Sequence, residues 1–259
     1  MKVELQDLDF GYDPSNPVIK DVNYTFEKPE FVCILGPKGV GKSTLVHCIN
    51  KILKPTGGSV LVNGKDNREM KLKELAANMG YVPASSEDSF PLTVVDTIMV
   101  GLQNDAKFGT SDEDLQKVYD VLKLMNIEHL AMRNFNELSA GQHQKVVLAR
   151  GIVRMPDLVI LDEPTSNLDV RHQLEVTRIL SELPRTRNMI ILMISHDINI
   201  TAKYADRIIM LYDGKIFAVG TPQEVITKEN LRTVYGVDAD VIDVNGRPHV
   251  ILNSAIREE

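Results

Sequence analysis

The stretch Gly36-Pro37-Lys38-Gly39-Val40-Gly41-Lys42-Ser43-Thr44 fits the pattern G-x-x-x-x-G-K-[ST], and its residue types suit a polyphosphate. Glycines let consecutive backbone N–H groups curl around phosphate oxygens. Lys42 brings a point charge to the outer phosphates, and the Ser43 hydroxyl is a suitable ligand for Mg²⁺. The pattern carries weight only between a strand and a helix. Both flanks are present: FVCIL at 31–35 is a short apolar run of the kind buried on two faces, and a helical pattern follows from about Ser43 to Leu53.

Two more segments deliver polar groups to strand ends. In LVILDEP an apolar run leads straight into Asp162 and Glu163, and in open α/β sheets ligands bind at the C-terminal strand edge. Successive side chains diverge there, so Asp162 is expected to face a Mg²⁺ shell and Glu163 the attacking water. His196 follows MIILMI and reaches the same kind of edge. It reads equally as a γ-phosphate contact or as a satisfied structural histidine. Ser195-His196-Asp197 is not a hydrolase triad, because triad members converge from separate segments whereas consecutive residues point apart.

A further anion site lies in LSAGQHQKVVLARG at 138–151. A serine hydroxyl, a glycine and a helix N-terminus converge there, with unpaired N–H groups and the positive end of the helix dipole. One chain therefore carries two phosphate-binding patterns.

The elements that must position these groups follow from periodicity. Val3/Leu5 and Val22/Tyr24/Phe26 alternate in period two around the turn segment 13–17, which predicts antiparallel strands. Asn63-Gly64 in SVLVNGK is a hairpin signal, and Asn245-Gly246 another. From about Glu87 to Arg154 the pattern is helical, with Ser111 as an N-cap and Asp114 three positions on. Buried-strand runs resume at DLVILDE, NMIILMISH and RIIMLYDGK, separated by a helix over about 170–183 and a short one after Asp197. Strand-helix-strand repetition predicts a parallel sheet with right-handed crossovers. The expected organisation is a single domain over 1–259. Within it, 1–86 and 151–225 form the α/β core with its antiparallel part, 87–150 is an inserted helical region, and 226–259 is a small C-terminal appendage.

Composition narrows the function classes. With 259 residues, 43% of them apolar, the chain can bury a core, and a net charge of −7 argues against a nucleic-acid partner. The two cysteines, Cys33 and Cys48, read as core thiols in a reducing compartment. The six histidines show no zinc-type spacing. The longest apolar run, Met189 to Ile194, is far short of the roughly 18 residues that span a bilayer. No leader pattern opens the chain, so a soluble cytosolic protein is expected.

Taken together, LSAGQ, Glu163 and His196 resemble the ATP-binding-cassette ATPases over nearly the whole chain. LSAGQ is similar to that family's LSGGQ signature, ILDEP to its Walker B strand, SNLD (166–169) to its D-loop and His196 to its switch histidine. Tyr12 stands where the family has an aromatic that stacks on adenine, with a core tyrosine as the alternative. The resemblance implies an α/β P-loop NTPase (RecA-like) fold: a parallel-sheet core, an N-terminal antiparallel β subdomain and an inserted α-helical subdomain. It implies ATP and Mg²⁺ as cofactors and catalysis by Glu163, His196 and Lys42. It also implies that the signature Ser139 and Gly141, with Ala140 and Gln142 beside them, serve the ATP held by a second copy in an ATP-sandwich homodimer, and that Asp169 of the D-loop belongs to the nucleotide-binding set.

Three stretches are similar to the ATPase subunits of metal-chelate importers (iron siderophore, haem, cobalamin): 90–101, 195–225 and 234–250. That likeness implies separate permease subunits, a substrate-binding protein in the same system, and a peripheral location on the cytoplasmic face of the membrane. The helical insert would make most of the permease contact. The chain also departs from the group. Ala84 follows YVP where a glutamine is usual, so either Ser85, Ser86 or water takes its place or coupling to the permease is weaker than usual. Lys38 replaces a common asparagine, and Ala140 replaces a signature glycine, a mild change if no positive φ is needed. The alternatives are an exporter subunit, or a nucleotide-binding scaffold that has lost turnover. A cassette acting on nucleic acid or ribosomes would carry a tandem cassette or a long coiled coil, and the sequence has neither.

Overall fold

The computed structural model describes residues 1–13, 15–84, 92–102 and 111–256. The chain opens with strands β1 (Val3–Phe10), β2 (Ile19–Phe26) and β3 (Phe31–Leu35), then helix α1 (Lys42–Ile49). Strands β4 (Gly57–Val62) and β5 (Lys65–Asp66) precede α2 (Leu72–Asn78) and β6 (Met79–Val82). Among the described residues, α-helices α3 (Val94–Val100), α4 (Asp112–Leu124) and α5 (Ala140–Ile152) come next. Alternation then resumes with β7 (Leu158–Asp162), α6 (Val170–Arg187), β8 (Ile190–Ile194), α7 (Ile198–Tyr204), β9 (Arg207–Tyr212) and β10 (Lys215–Gly220). The last elements are α8 (Pro222–Val225), α9 (Lys228–Tyr235), β11 (Val237–Val244) and β12 (Arg247–Ala255).

The central sheet has the order β10-β9-β3-β8-β7-β6. Every neighbouring pair from β9 to β6 is parallel, and only β10 runs antiparallel. All residues of β3, β7 and β8 are buried, because both sheet faces are covered. Alternate side chains enter different layers. Phe31, Cys33, Leu35, Val159 and Leu161 pack with Ile98, Val121 and Val146 of the helical insert and with Leu180 of α6. Val32, Ile34, Leu158 and Ile160 pack with Leu45 and Ile49 of α1 and with Leu5 and Val60 of the antiparallel sheet β2-β1-β4-β5. The expected α/β architecture is therefore present, and its helical insert shares a core with the parallel sheet. Leu231, Val234, Ala239 and Val250 of the C-terminal segment are buried in that same cluster.

Local signals place most turns. Both hairpin pairs take positive φ at both residues, 50° and 81° at Asn63-Gly64 and 56° and 78° at Asn245-Gly246. This is the two-residue turn that matches strand twist. Ser111 and Asp114 form the predicted capping box of α4. Two helix ends differ from the periodicity. Helix α1 stops at Ile49 rather than running to Leu53, because Lys51 adopts φ 65° and its ammonium donates to Met70 O. Helix α6 continues past Leu183 with Pro184 inside it, and ends where Asn188 turns left-handed at φ 57°. Cys33 and Cys48 are buried free thiols, their pKa values raised by burial, Cys48 to about 12. Among the described residues, no helix is long and apolar enough to cross a membrane.

Candidate functional site

Strand order assembles the site. Ile34 of β3 pairs with Ile194 of β8, and Ile194 pairs with Asp162 of β7. The segment after β3, the Asp162–Glu163 pair and the Ser195–His196 pair therefore leave the sheet at one level. A cavity of about 340 Å³ opens there, lined by Tyr12, Lys38, Gly39, Gly41, Lys42, Ser43, Thr44, Glu163 and His196.

The loop needs its glycines for space as well as for backbone conformation. Gly41 has φ 103°, and a Cβ there would lie 2.8 Å from Ile19 Cδ1. A Cβ on Gly36 would lie 2.5 Å from the Leu211 carbonyl oxygen. Only glycine lets this loop lie against β2 and β9. Pro37 and Val40 complete the turn, with Val40 packed on the core beneath.

Lys42 is 5% exposed, and its ammonium donates to the carbonyl oxygens of Gly36 and Pro37, each at 2.8 Å. Burial lowers its pKa, while the carboxylates of Glu163 and Asp162 oppose that shift. The Ser43 hydroxyl donates to Asp162 Oδ1 at 3.2 Å, so the two expected metal ligands are already in contact. Burial pushes the Asp162 carboxyl above the usual carboxylate range. The Ser43 hydrogen bond pulls it back, nearby Glu163 raises it further, and His47 and Lys42 lower it.

Glu163 adopts φ 49°, a left-handed conformation costly for a side chain with a Cβ. That twist separates it from Asp162, and its Oε1 is hydrogen-bonded to His196 Nε2. His196 is 43% exposed, faces the cavity and is paired with Glu163, so it is not a core histidine. The triad reading fails as well. Ser195 Oγ accepts from the Asp197 N–H, and Asp197 Oδ1 accepts from Ile200 N to cap α7. Tyr12 is 70% exposed and stands edge-on to Phe10, its hydroxyl 3.4 Å from Thr44 Oγ1. It is not a core tyrosine.

The second anion pattern lies elsewhere. Ser139, Ala140, Gly141 and Gln142 do not line this cavity, and neither does Asp169. Ser139 caps α5: its Oγ accepts from Gln142 N, and Gln142 Oε1 accepts from Ser139 N at 3.1 Å. Ala140 has right-handed helical backbone, so no glycine is needed there. Asp169 caps α6 by accepting from His172 N at 2.9 Å and also holds the His172 ring. His172 carried no motif in the sequence. Its one signal was standing three residues past a capping aspartate. Ala84 is exposed just beyond β6, while Ser85 and Ser86 lie outside the described residues.

Residues 19–166 match the sequence profile of the ABC transporter family. The chain belongs to that family. It is an ATPase with the nucleotide-binding cassette fold of ABC transporters. An uncharacterized ABC transporter ATP-binding protein of Methanocaldococcus jannaschii is 41% identical over 97% of this chain and 98% of its own length. A hemin import ATP-binding protein of Bordetella avium is 35% identical, covering 93% of this chain and 95% of its own. Among solved structures, a proposed metal-chelate type ABC transporter in an inward-facing conformation superposes with TM-score 0.83, at 26% identity and 97% coverage of both chains. A dimeric bacterial ABC transporter cassette superposes with TM-score 0.73, at 28% identity, covering 85% of this chain and 98% of its own.

Proposed function

We propose that this ATPase powers import of a metal chelate, of the iron-siderophore, haem or cobalamin class, through separate permease subunits at the cytoplasmic face of the membrane. A substrate-binding protein would deliver the chelate. Likeness to a hemin import protein and to a proposed metal-chelate transporter supports this substrate class.

The observation that carries the mechanism is the separation of the two anion sites. In one chain the Ser139 end of α5 does not line the cavity of Lys42. Two copies meeting head to tail under two-fold symmetry would complete two sites at once, each with one chain's loop and the other's α5 end. The likeness to a dimeric cassette supports that arrangement. The permease would meet the helical insert.

Within each site, Tyr12 stacks on the adenine, and the N–H groups of 36–44 surround the phosphates. The Lys42 ammonium exchanges its carbonyl partners for the outer phosphate oxygens. Ser43 Oγ and Asp162 Oδ1 offer hard oxygens 3.2 Å apart. That fits Mg²⁺, which takes few protein ligands and completes its shell from phosphate and water. Bound there, Mg²⁺ would neutralise charge on the β- and γ-oxygens. Glu163 orients the water and takes its proton as oxygen attacks the γ-phosphorus and the bond to the bridging oxygen breaks. His196 steadies the Glu163 carboxylate, and the partner's α5 end stabilises the charge on the transferred group. ADP and phosphate remain, and the two copies part.

The test is Glu163→Gln with ATP in a sizing experiment. Hydrolysis is lost, ATP binding is kept, and the protein runs as a dimer that dissociates on nucleotide removal. A protein that stays monomeric at high concentration refutes the sandwich. Chelate uptake by vesicles containing the co-purifying permease tests direction, and outward movement would favour an exporter.

A further inference from the structure

Gly141 lies in the first turn of α5 with ordinary right-handed backbone, so its φ does not call for glycine. Its neighbour does. A Cβ on Gly141 would lie 2.3 Å from His172 Cδ2, 2.6 Å from Cγ and 2.7 Å from Nε2. The other edge of that ring is held, because His172 Nδ1 is 2.9 Å from both carboxylate oxygens of Asp169. The His172 backbone N–H also donates to Asp169 Oδ1, and these bonds keep the carboxyl below the usual carboxylate range. One imidazole thus joins the capping aspartate of α6 to the first turn of α5.

We propose that His172 is a positioning residue that fixes the signature end of α5 against Asp169, so that both groups reach the nucleotide of a second copy in one fixed geometry. The proposal rests on the reading that these segments act on a second copy's ATP. A second tie between the helices lies deeper, where Lys145 Nζ pairs with Glu175 Oε2 at 3.1 Å. With that pair in place, losing the imidazole frees the first turn of α5 without detaching the helix. Freedom there is enough to matter: misplacement by about 1 Å can cost on the order of 100-fold in rate. Glycine at 141 is, on this account, a requirement of the ring. An added methyl would push the imidazole off Asp169, since the ring is the part able to move.

The test compares His172→Ala, His172→Asn, Gly141→Ala and the double variant Gly141→Ala/His172→Ala, each alone and combined with Glu163→Gln. His172→Ala should keep its melting temperature and the ATP affinity of isolated copies, because His172 does not line the loop cavity. It should lower kcat by about tenfold or more and raise the ATP concentration at which the Glu163→Gln protein dimerises. His172→Asn, which still offers a donor to Asp169, should recover part of that loss. Gly141→Ala should resemble His172→Ala, and the double variant should be no worse than either, as groups acting through one contact are non-additive. Full activity in His172→Ala overturns the proposal, and so do additive losses in the double variant, since glycine would then serve the nucleotide directly. Failure of Glu163→Gln alone to dimerise with ATP is a separate result. It removes the two-copy reading itself, whatever the His172 variants do.

Discussion

Glu163 and His196 are hydrogen-bonded to each other at the edge of the cavity beside Lys42, although 33 positions separate them in the chain. The contact exists because β7 and β8 are neighbours in the sheet and because Glu163 turns left-handed at φ 49°. Asp162, one residue earlier, remains in the strand and meets Ser43 instead.

His196→Ala should leave Glu163 untethered. Magnesium-dependent hydrolysis is expected to fall by about 100-fold, the usual cost of a misplaced catalytic group, with little change in KM for ATP. Steady-state kinetics check this, and activity within about threefold of wild type would show that Glu163 needs no partner.

Asp162 is a buried carboxyl that accepts a hydrogen bond from Ser43. Burial raises its pKa, so the folded protein holds this proton to higher pH than the unfolded chain, whose reference value is 3.8. Stability is therefore lost as pH rises from that value through the folded pKa, and at neutral pH the ionised group opposes folding. Asp162→Asn should melt higher than wild type at pH 7 without nucleotide, the gap closing as pH falls to about 4, while magnesium-dependent hydrolysis disappears. Thermal unfolding across pH, together with an ATPase assay, reads both arms.

Tyr12 presents a largely exposed ring beside the loop, so its removal should cost binding rather than folding. Stacking of a base on an aromatic ring is worth about 1–3 kcal/mol, so Tyr12→Ala should weaken ATP binding by roughly tenfold or more. Its melting temperature should stay close to wild type. Titration with ATP decides, and unchanged affinity would remove the stacking role.

If position 84 reaches the proposed Mg²⁺ site, a side-chain oxygen there would support the metal. Groups that support metal ligands typically change affinity by about 10- to 100-fold, so Ala84→Gln should lower the Mg²⁺ concentration for half-maximal hydrolysis by about tenfold. If neither basal nor permease-stimulated hydrolysis changes, the position does not reach the site.

The site was legible in sequence wherever the physics is local. A glycine-rich loop between a buried strand and a helix, two carboxylates ending an apolar run, a capping serine before Ala-Gly and two Asn-Gly turns each depend on residues a few positions apart. Their conformations follow from steric and hydrogen-bonding rules within that span. The helix ends at Ile49 and Arg187 were less legible, because a side chain reaching Met70 O and a buried Pro184 depend on packing.

Sequence alone marked which groups could bind phosphate and put Asp162, Glu163 and His196 at strand ends and Ser139 at a helix start. Tertiary structure decided how they combine. It put β8 between β3 and β7 and so brought His196 to Glu163, left Tyr12 exposed, seated His172 against Gly141 and kept Ser139 out of the cavity that Lys42 lines. These contacts join segments far apart in the chain. Local spacing cannot specify them, because they follow from how the two sheet faces share out the buried side chains.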